Sequence, residues 1–121
     1  MENDRYIYVL YKQPNKKPKR VQIENKLEEM QKLVDVYIEI VRYKDVFLVC
    51  NEDAKLRGLE PNVTFGREVI CGSFFLIGDD KENADFISLT REQIEKYKKE
   101  ISYNVHIDYE LEDEMEWVKE K

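Results

Sequence analysis

Only four glycines occur in 121 residues, at positions 58, 66, 72 and 78, so no glycine-rich loop exists to cradle a phosphate. There is one histidine, His106, and no four-ligand zinc set can be assembled around it at finger-like spacing. It falls in a predicted terminal strand with no serine elbow nearby, which removes Ser-His-Asp hydrolysis. The two cysteines, Cys50 and Cys71, sit in strand-like runs without a ligand pattern. They read as reduced, buried small hydrophobes of the core rather than as a disulfide or a metal site. Apolar runs reach only about five residues, against the ~20 that a membrane-spanning helix needs. The opening Met1-Glu2-Asn3-Asp4-Arg5 has neither a basic nor an apolar signal region, so the expectation is a cytoplasmic protein without a secretory leader.

What is present fits one domain. Apolar residues make up 42% and charged residues 38%, too much apolar content for a disordered chain and enough for a single two-layer core. Net charge is −6, and its distribution is uneven. Lys12, Lys16, Lys17, Lys19 and Arg20 cluster around Pro14 and Pro18 and read as a solvated hairpin loop. In the tail, Asp108, Glu110, Glu112, Asp113, Glu114, Glu116 and Glu120 face only Lys119 and Lys121. Such a chain is repelled from phosphate at long range, so direct nucleic-acid binding is not expected. The same charge suits a protein that occupies a basic groove on another protein.

Hydrophobic patterning places the elements. Arg5–Tyr11 and Lys19–Ile23 are strand-like around a Pro14-Asn15-Lys16-Lys17-Pro18 turn, a hairpin. Asn25 is placed to cap a helix to Val34, with Glu28 completing a capping-box variant and Leu27, Met30, Leu33 and Val34 as its apolar stripe. Val36–Val41 alternates, Arg42–Asp45 reads as a tight connection, and Val46–Cys50 lacks polar alternation and so reads as a central strand covered on both faces. A polar loop, Asn51–Asn62, follows. Arg67–Ile77 then reads as one bent strand or two short ones around Gly72-Ser73, Gly78–Asn83 as a turn, and Asp85–Ser88 as a short strand. The strongest local signal is Leu89-Thr90-Arg91-Glu92-Gln93-Ile94. It combines a Thr90/Gln93 capping box with a Leu89/Ile94 staple, and it opens a helix with Ile94, Tyr97 and Ile101 inward. Val105–Tyr109 is a further short strand, and a helix is predicted from Glu110 with Leu111, Met115 and Val118 on one side.

The expected fold class is α+β: a mostly antiparallel sheet of about five or six strands, two principal helices and a C-terminal helix. Residues 1–101 would form the domain, and 102–121 an acidic C-terminal extension of strand and short helix packed on it. The predicted core is Leu27, Met30, Ile38, Phe47, Val49, Ile70, Phe75, Leu76, Ile94 and Tyr97.

The order of segments carries a resemblance. Tyr37-Ile38-Glu39, Asn51-Glu52, Lys55-Leu56, Leu59, Pro61-Asn62, Val69-Ile70-Cys71-Gly72-Ser73, Asp85-Phe86 and Ser88-Leu89-Thr90 follow one another as in the domain-of-unknown-function 3846 family, which the chain resembles from about Arg5 to Ile101. That family commonly has glycine at the Ala54 position and a glycine pair where Asp35 and Val36 stand. The resemblance implies a small protein of phages, prophages and conjugative elements, cytoplasmic in a bacterial host and often encoded near counter-defence genes. It assigns no catalytic residue.

Chemistry must therefore come from the residues themselves. Glu39 and Glu52 would supply a carboxylate pair of the kind glycosidases use, but carboxylates are abundant here and the pair carries little weight. Asn51 and Asn62 are also ordinary turn-capping residues, and Glu52 and Asp53 ordinary solvated loop residues. No enzyme activity and no cofactor is expected. The leading expectation is an inhibitor of a host defence protein acting by protein–protein contact, with Glu112, Asp113, Glu114 and Glu116 of the acidic tail in recognition. The alternative is a protein that sequesters a small nucleotide-like ligand, using Tyr37, Glu39, the loop residues Asn51, Glu52, Lys55 and Asn62, and Arg67. A regulatory module with no defence role is the third option.

Overall fold

The computed structural model describes residues 5–35, 37–65, 68–82, 85–102 and 106–107. Strands β1 (Tyr6–Lys12) and β2 (Lys19–Glu24) form the expected antiparallel hairpin. Strands β3 (Ile38–Tyr43) and β4 (Val46–Asn51) form a second. Arg42 and Tyr43 belong to β3 rather than to the connection, which shrinks to Lys44-Asp45, with Lys44 at φ 55°. Later in the chain come β5 (Pro61–Phe65), β6 (Glu68–Cys71), β7 (Phe74–Asp80) and β8 (Asp85–Ile87). The main sheet has order β2-β1-β7-β4-β3, with β8 added on β7, and every pairing in it is antiparallel. The fold is therefore α+β with a six-stranded, mostly antiparallel sheet, as the patterning predicts.

Both faces of this sheet are covered, so the domain has three layers rather than two. On one face Ile7, Val9, Ile38, Ile40, Phe47, Val49, Phe75 and Ile77 pack with Met30 and Val34 of helix α1 (Leu27–Val34) and with Phe86. On the other, Leu10, Val41, Tyr43, Val46, Leu48 and Leu76 pack with Ile94 and Tyr97 of helix α2 (Arg91–Glu100) and with Val63, Phe65 and Ile70. All six residues of β4 are buried, which accounts for its unbroken apolar run.

Strand β5 has no counterpart in the predicted elements. It follows a long polar loop and contains Asn62 and Thr64, so only Val63 and Phe65 mark it, and both point into the core. With β6 and β9 (His106–Ile107) it makes a second sheet of order β6-β5-β9, in which β9 runs parallel to β5. The bend at Gly72 thus separates two strands of different sheets. Gly72 has φ +77°, which a side chain resists, and its N–H donates to the Glu60 carbonyl at 2.7 Å. Gly78, Asp79 and Asp80, predicted as a turn, instead continue β7 and pair with β8. A Cβ at Gly78 would lie 2.6 Å from the carbonyl oxygens of Ile87 and Ser88, so only glycine lets β8 approach.

The helix ends differ in how well they obey local rules. Thr90 Oγ1 accepts from the Gln93 N–H at 3.0 Å and Gln93 Oε1 accepts from the Thr90 N–H at 2.9 Å, completing the box, while Leu89 and Ile94 share the core as the staple requires. At α1 the N-cap is Lys26 without a side-chain cap bond, and Asn25, one residue before it, donates through Nδ2 to the Phe86 carbonyl at 3.1 Å. Leu27 is not core: it is 36% exposed, at the mouth of an open cleft of about 220 Å³ between α1 and β8. The other nine predicted core residues are buried. At the C-terminal end of α1 Asp35 sits at φ 74°, which explains why glycine suits this position in the resembled family. Val36, most of the predicted Val105–Tyr109 strand and the predicted C-terminal helix lie outside the described residues.

Candidate functional site

The β3–β4 register sets Glu39 directly opposite Cys50 on the face that carries the second sheet. Strand β4 then runs into the loop 51–60, and β6 crosses from the second sheet. These three pieces enclose a cleft of about 150 Å³. Its charged wall is Glu39, Glu52, Lys55 and Glu68; its apolar wall includes Val41, Ile70 and the two cysteines.

Loop geometry follows from Asn51. Its Oδ1 accepts from the Asp53 N–H at 2.7 Å, closing an Asx turn, and its Nδ2 donates at 2.8 Å to the Val34 carbonyl at the end of α1. The loop closes on Gly58 at φ +69°, with the Leu59 N–H donating to the Ala54 carbonyl at 3.0 Å. Lys55 Nζ bonds Glu68 at 2.9 Å, tying loop to second sheet, and this bond is the main reason its ammonium titrates above the ordinary lysine range. Arg57 pairs with Asp35 at 2.7 Å.

Glu39 is the unusual group. Burial, reinforced by the carboxylates of Glu52 and Glu68 and only partly opposed by Lys55, pushes its carboxyl above the usual range. Among the described residues its carboxylate has no hydrogen bond and no ion pair. Behind it Cys50 is buried, with Sγ 3.8 Å from the Glu39 carbonyl, and burial raises its thiol far above the usual value. Cys71 is half-buried on the cleft wall rather than in the core, and both thiols are free. The rim carries one large exposed apolar side chain, Leu56, 91% exposed; Tyr37, 58% exposed, precedes β3, and its carbonyl accepts from the Glu52 N–H.

Of the site residues predicted from sequence, Glu39, Asn51, Glu52 and Lys55 converge on this cleft and Tyr37 stands beside it. Asn51 is buried and its side chain is engaged by backbone, so it shapes the loop and leaves the carboxylates to face a ligand. Asn62 does not belong. It is buried elsewhere, where Oδ1 accepts from Lys12 Nζ at 2.7 Å and Nδ2 donates to the carbonyls of Lys12 and Gly72. Lys12 is correspondingly no part of a solvated basic loop: it is fully buried, and burial lowers its pKa to about 8. Arg67, Glu112, Asp113, Glu114 and Glu116 lie outside the described residues. Glu68 and Cys71 are not legible as site residues, because only the crossing of the second sheet over β3 and β4 brings them to Glu39; Leu56 comes to the cleft on the loop that also carries Glu52 and Lys55. Among the described residues there is no cluster of ligating side chains for a metal ion, and no helix is long and apolar enough to cross a membrane.

A six-stranded, mostly antiparallel sheet clad by two helices and a small second sheet, with an acidic cleft between the sheets, defines the class: a small α+β domain. The chain belongs to the family described as domain of unknown function (DUF3846), whose model matches residues 7–102. No curated protein and no solved structure matches the chain.

Proposed function

We propose that this domain is a non-enzymatic protein-binding module whose acidic cleft receives one basic side chain from a partner protein. The observation that carries the reading is the half-buried carboxylate of Glu39, without a partner among the described residues, next to the exposed Leu56. An arginine or lysine placed there opposes the repulsion from Glu52 and Glu68 that helps raise the Glu39 pKa, and an unpaired, half-buried carboxylate gains most from a charged donor. Size favours a side chain over a nucleotide. About 150 Å³ takes a group of roughly benzene size, well below the ~300–1,000 Å³ of drug-sized ligand sites. Leu56 supplies apolar contact at the rim, where a desolvated anchor needs water excluded. The partner's identity as a host defence protein, blocked by a mobile-element product, is part of this proposal and rests on the family resemblance.

Glu39→Gln is the test, since it removes the charge and keeps the shape. A short arginine peptide should shift the amide resonances of Cys50, Lys55 and Ile70 in the wild-type protein. The citrulline counterpart should not, and neither peptide should shift them in Glu39→Gln. Equal shifts from arginine and citrulline peptides would remove the charge recognition, and no shifts at all would remove the cleft from binding. Host-protein capture lost in Glu39→Gln, together with lost inhibition of the defence system in cells, would tie the cleft to that role.

A further inference from the structure

The same face of the main sheet carries a second feature of opposite sign. Arg20 lies opposite Leu10 in the β1–β2 register, so it shares the face on which α2 packs. Along α2, Arg91, Glu95 and Lys98 fall at spacings of four and three and present one flank towards Arg20, with Lys99 beside them. Together with Ile94 these residues line a groove of about 550 Å³ between β2 and α2. Its lining holds four cations and one carboxylate on a chain whose net charge is −6.

Arg20, Arg91, Lys98 and Lys99 have no ion pair within the described residues, and with Glu95 as the one carboxylate of the lining the groove carries an excess of three positive charges. Arg20 is held in place by its guanidinium stacking over the Tyr8 ring, 4.4 Å from the centroid. Four cations against one carboxylate along one groove attract an anion.

We propose that this groove binds a polyphosphate group, either free or carried on a nucleotide. Three comparisons favour that class. The groove's volume lies within the ~300–1,000 Å³ of small-molecule sites. Guanidinium forks match phosphate oxygens bidentately, and a polyphosphate concentrates several charges in one place, whereas a peptide carries single carboxylates further apart. A long nucleic acid meets the overall negative field of the protein and finds no free aromatic platform here, since Tyr8 is already covered by Arg20. A compact anion inside the groove lies within a Debye length, about 8 Å at physiological salt, of the local cations, so their field prevails.

Calorimetry with the full chain in magnesium-free buffer tests this, using tripolyphosphate, a nucleoside triphosphate and a single-stranded oligonucleotide as probes. One-to-one saturable binding of tripolyphosphate is expected, weakened at least tenfold in the double variant Arg20→Gln/Arg91→Gln. It should be unaffected by Lys32→Gln, which removes one charge from α1 on the opposite face of the sheet. Tighter binding of the nucleoside triphosphate would assign the group to a nucleotide; equal binding would assign it to the free anion. Thermal unfolding of each variant within a few degrees of wild type shows that the fold is intact, and Lys98→Gln/Lys99→Gln provides an independent pair. The proposal is overturned by absence of tripolyphosphate binding, by equal loss in Lys32→Gln, or by an oligonucleotide that binds more tightly than tripolyphosphate through the same residues.

Discussion

Asn62 joins the two sheets at a point where a lysine is buried, and Asn62→Ala should be among the most destabilising polar substitutions in the chain. It removes the acceptor at 2.7 Å from Lys12 Nζ and the donor to the carbonyls of Lys12 and Gly72. Two neutral bonds at about 1 kcal/mol each and one to a charged group at about 1.5–3 kcal/mol give a loss of roughly 3.5–5 kcal/mol at pH 7. That corresponds to a fall in Tm of roughly 14–20 °C for a domain of this size. The lysine adds a pH signature. Burial lowers its pKa from 10.5 to about 8, so between those values the unfolded chain holds a proton that the folded chain has released. Stability therefore rises with pH across that window: the cost of the buried charge is full below about pH 8 and gone by 10.5. At ~1.4 kcal/mol per pH unit the rise is at most about 3 kcal/mol, less whatever the hydrogen bonds to Gln13 and Asn62 return to the charged form. Denaturant unfolding from pH 7.5 to 9.5 should show the rise in wild type and a flat profile in Lys12→Met. A wild-type profile as flat as that of Lys12→Met, or a loss below about 1 kcal/mol in Asn62→Ala, would refute the account.

Glu39→Gln should be slightly more stable than wild type at neutral pH. The folded-state carboxyl is raised by burial, so its charge costs stability above its pKa and the cost disappears as pH falls through it. Thermal melts from pH 7 to 4 should therefore converge, and parallel curves would contradict the assignment. Gly72→Ala places a Cβ 2.9 Å from Leu59 Cδ1 at φ +77°. It should cost about 1–2 kcal/mol for the left-handed backbone alone, read by urea unfolding. Thiol labelling of the native protein should modify Cys71, which is half-buried at the cleft, and spare Cys50 until the chain unfolds. Simultaneous labelling of both would show that the cleft floor opens.

Local physics made much of the fold legible. The capping box and staple at Leu89–Ile94 declare a helix start because the groups that satisfy one another lie three and five residues apart. The unbroken run of β4 declares a strand covered on both faces, and the Pro14–Pro18 turn declares the first hairpin. Lack of glycine, histidine and long apolar runs likewise needs no structure to exclude phosphate loops, zinc fingers and spanning helices. The long-range decisions were not legible. Asn25 has the chemistry of a helix cap, but tertiary contact gives its side chain to Phe86, 61 positions away. Lys12 looks solvated from its neighbours, and its bond to Asn62, 50 positions away, is a contact that chain proximity does not reveal. Chain proximity to Asn51 places Asn62 in the binding loop, and it cannot reveal that β5 leads away from the cleft. Glu39 and Glu68 meet, and Arg20 meets Arg91, because separate elements cross. The sequence by itself thus settled periodicities, caps and exclusions, which depend on residues a few positions apart. Tertiary structure decided which polar groups are buried, which are paired and which charges share a cleft, because burial and Coulomb energy depend on distance in space.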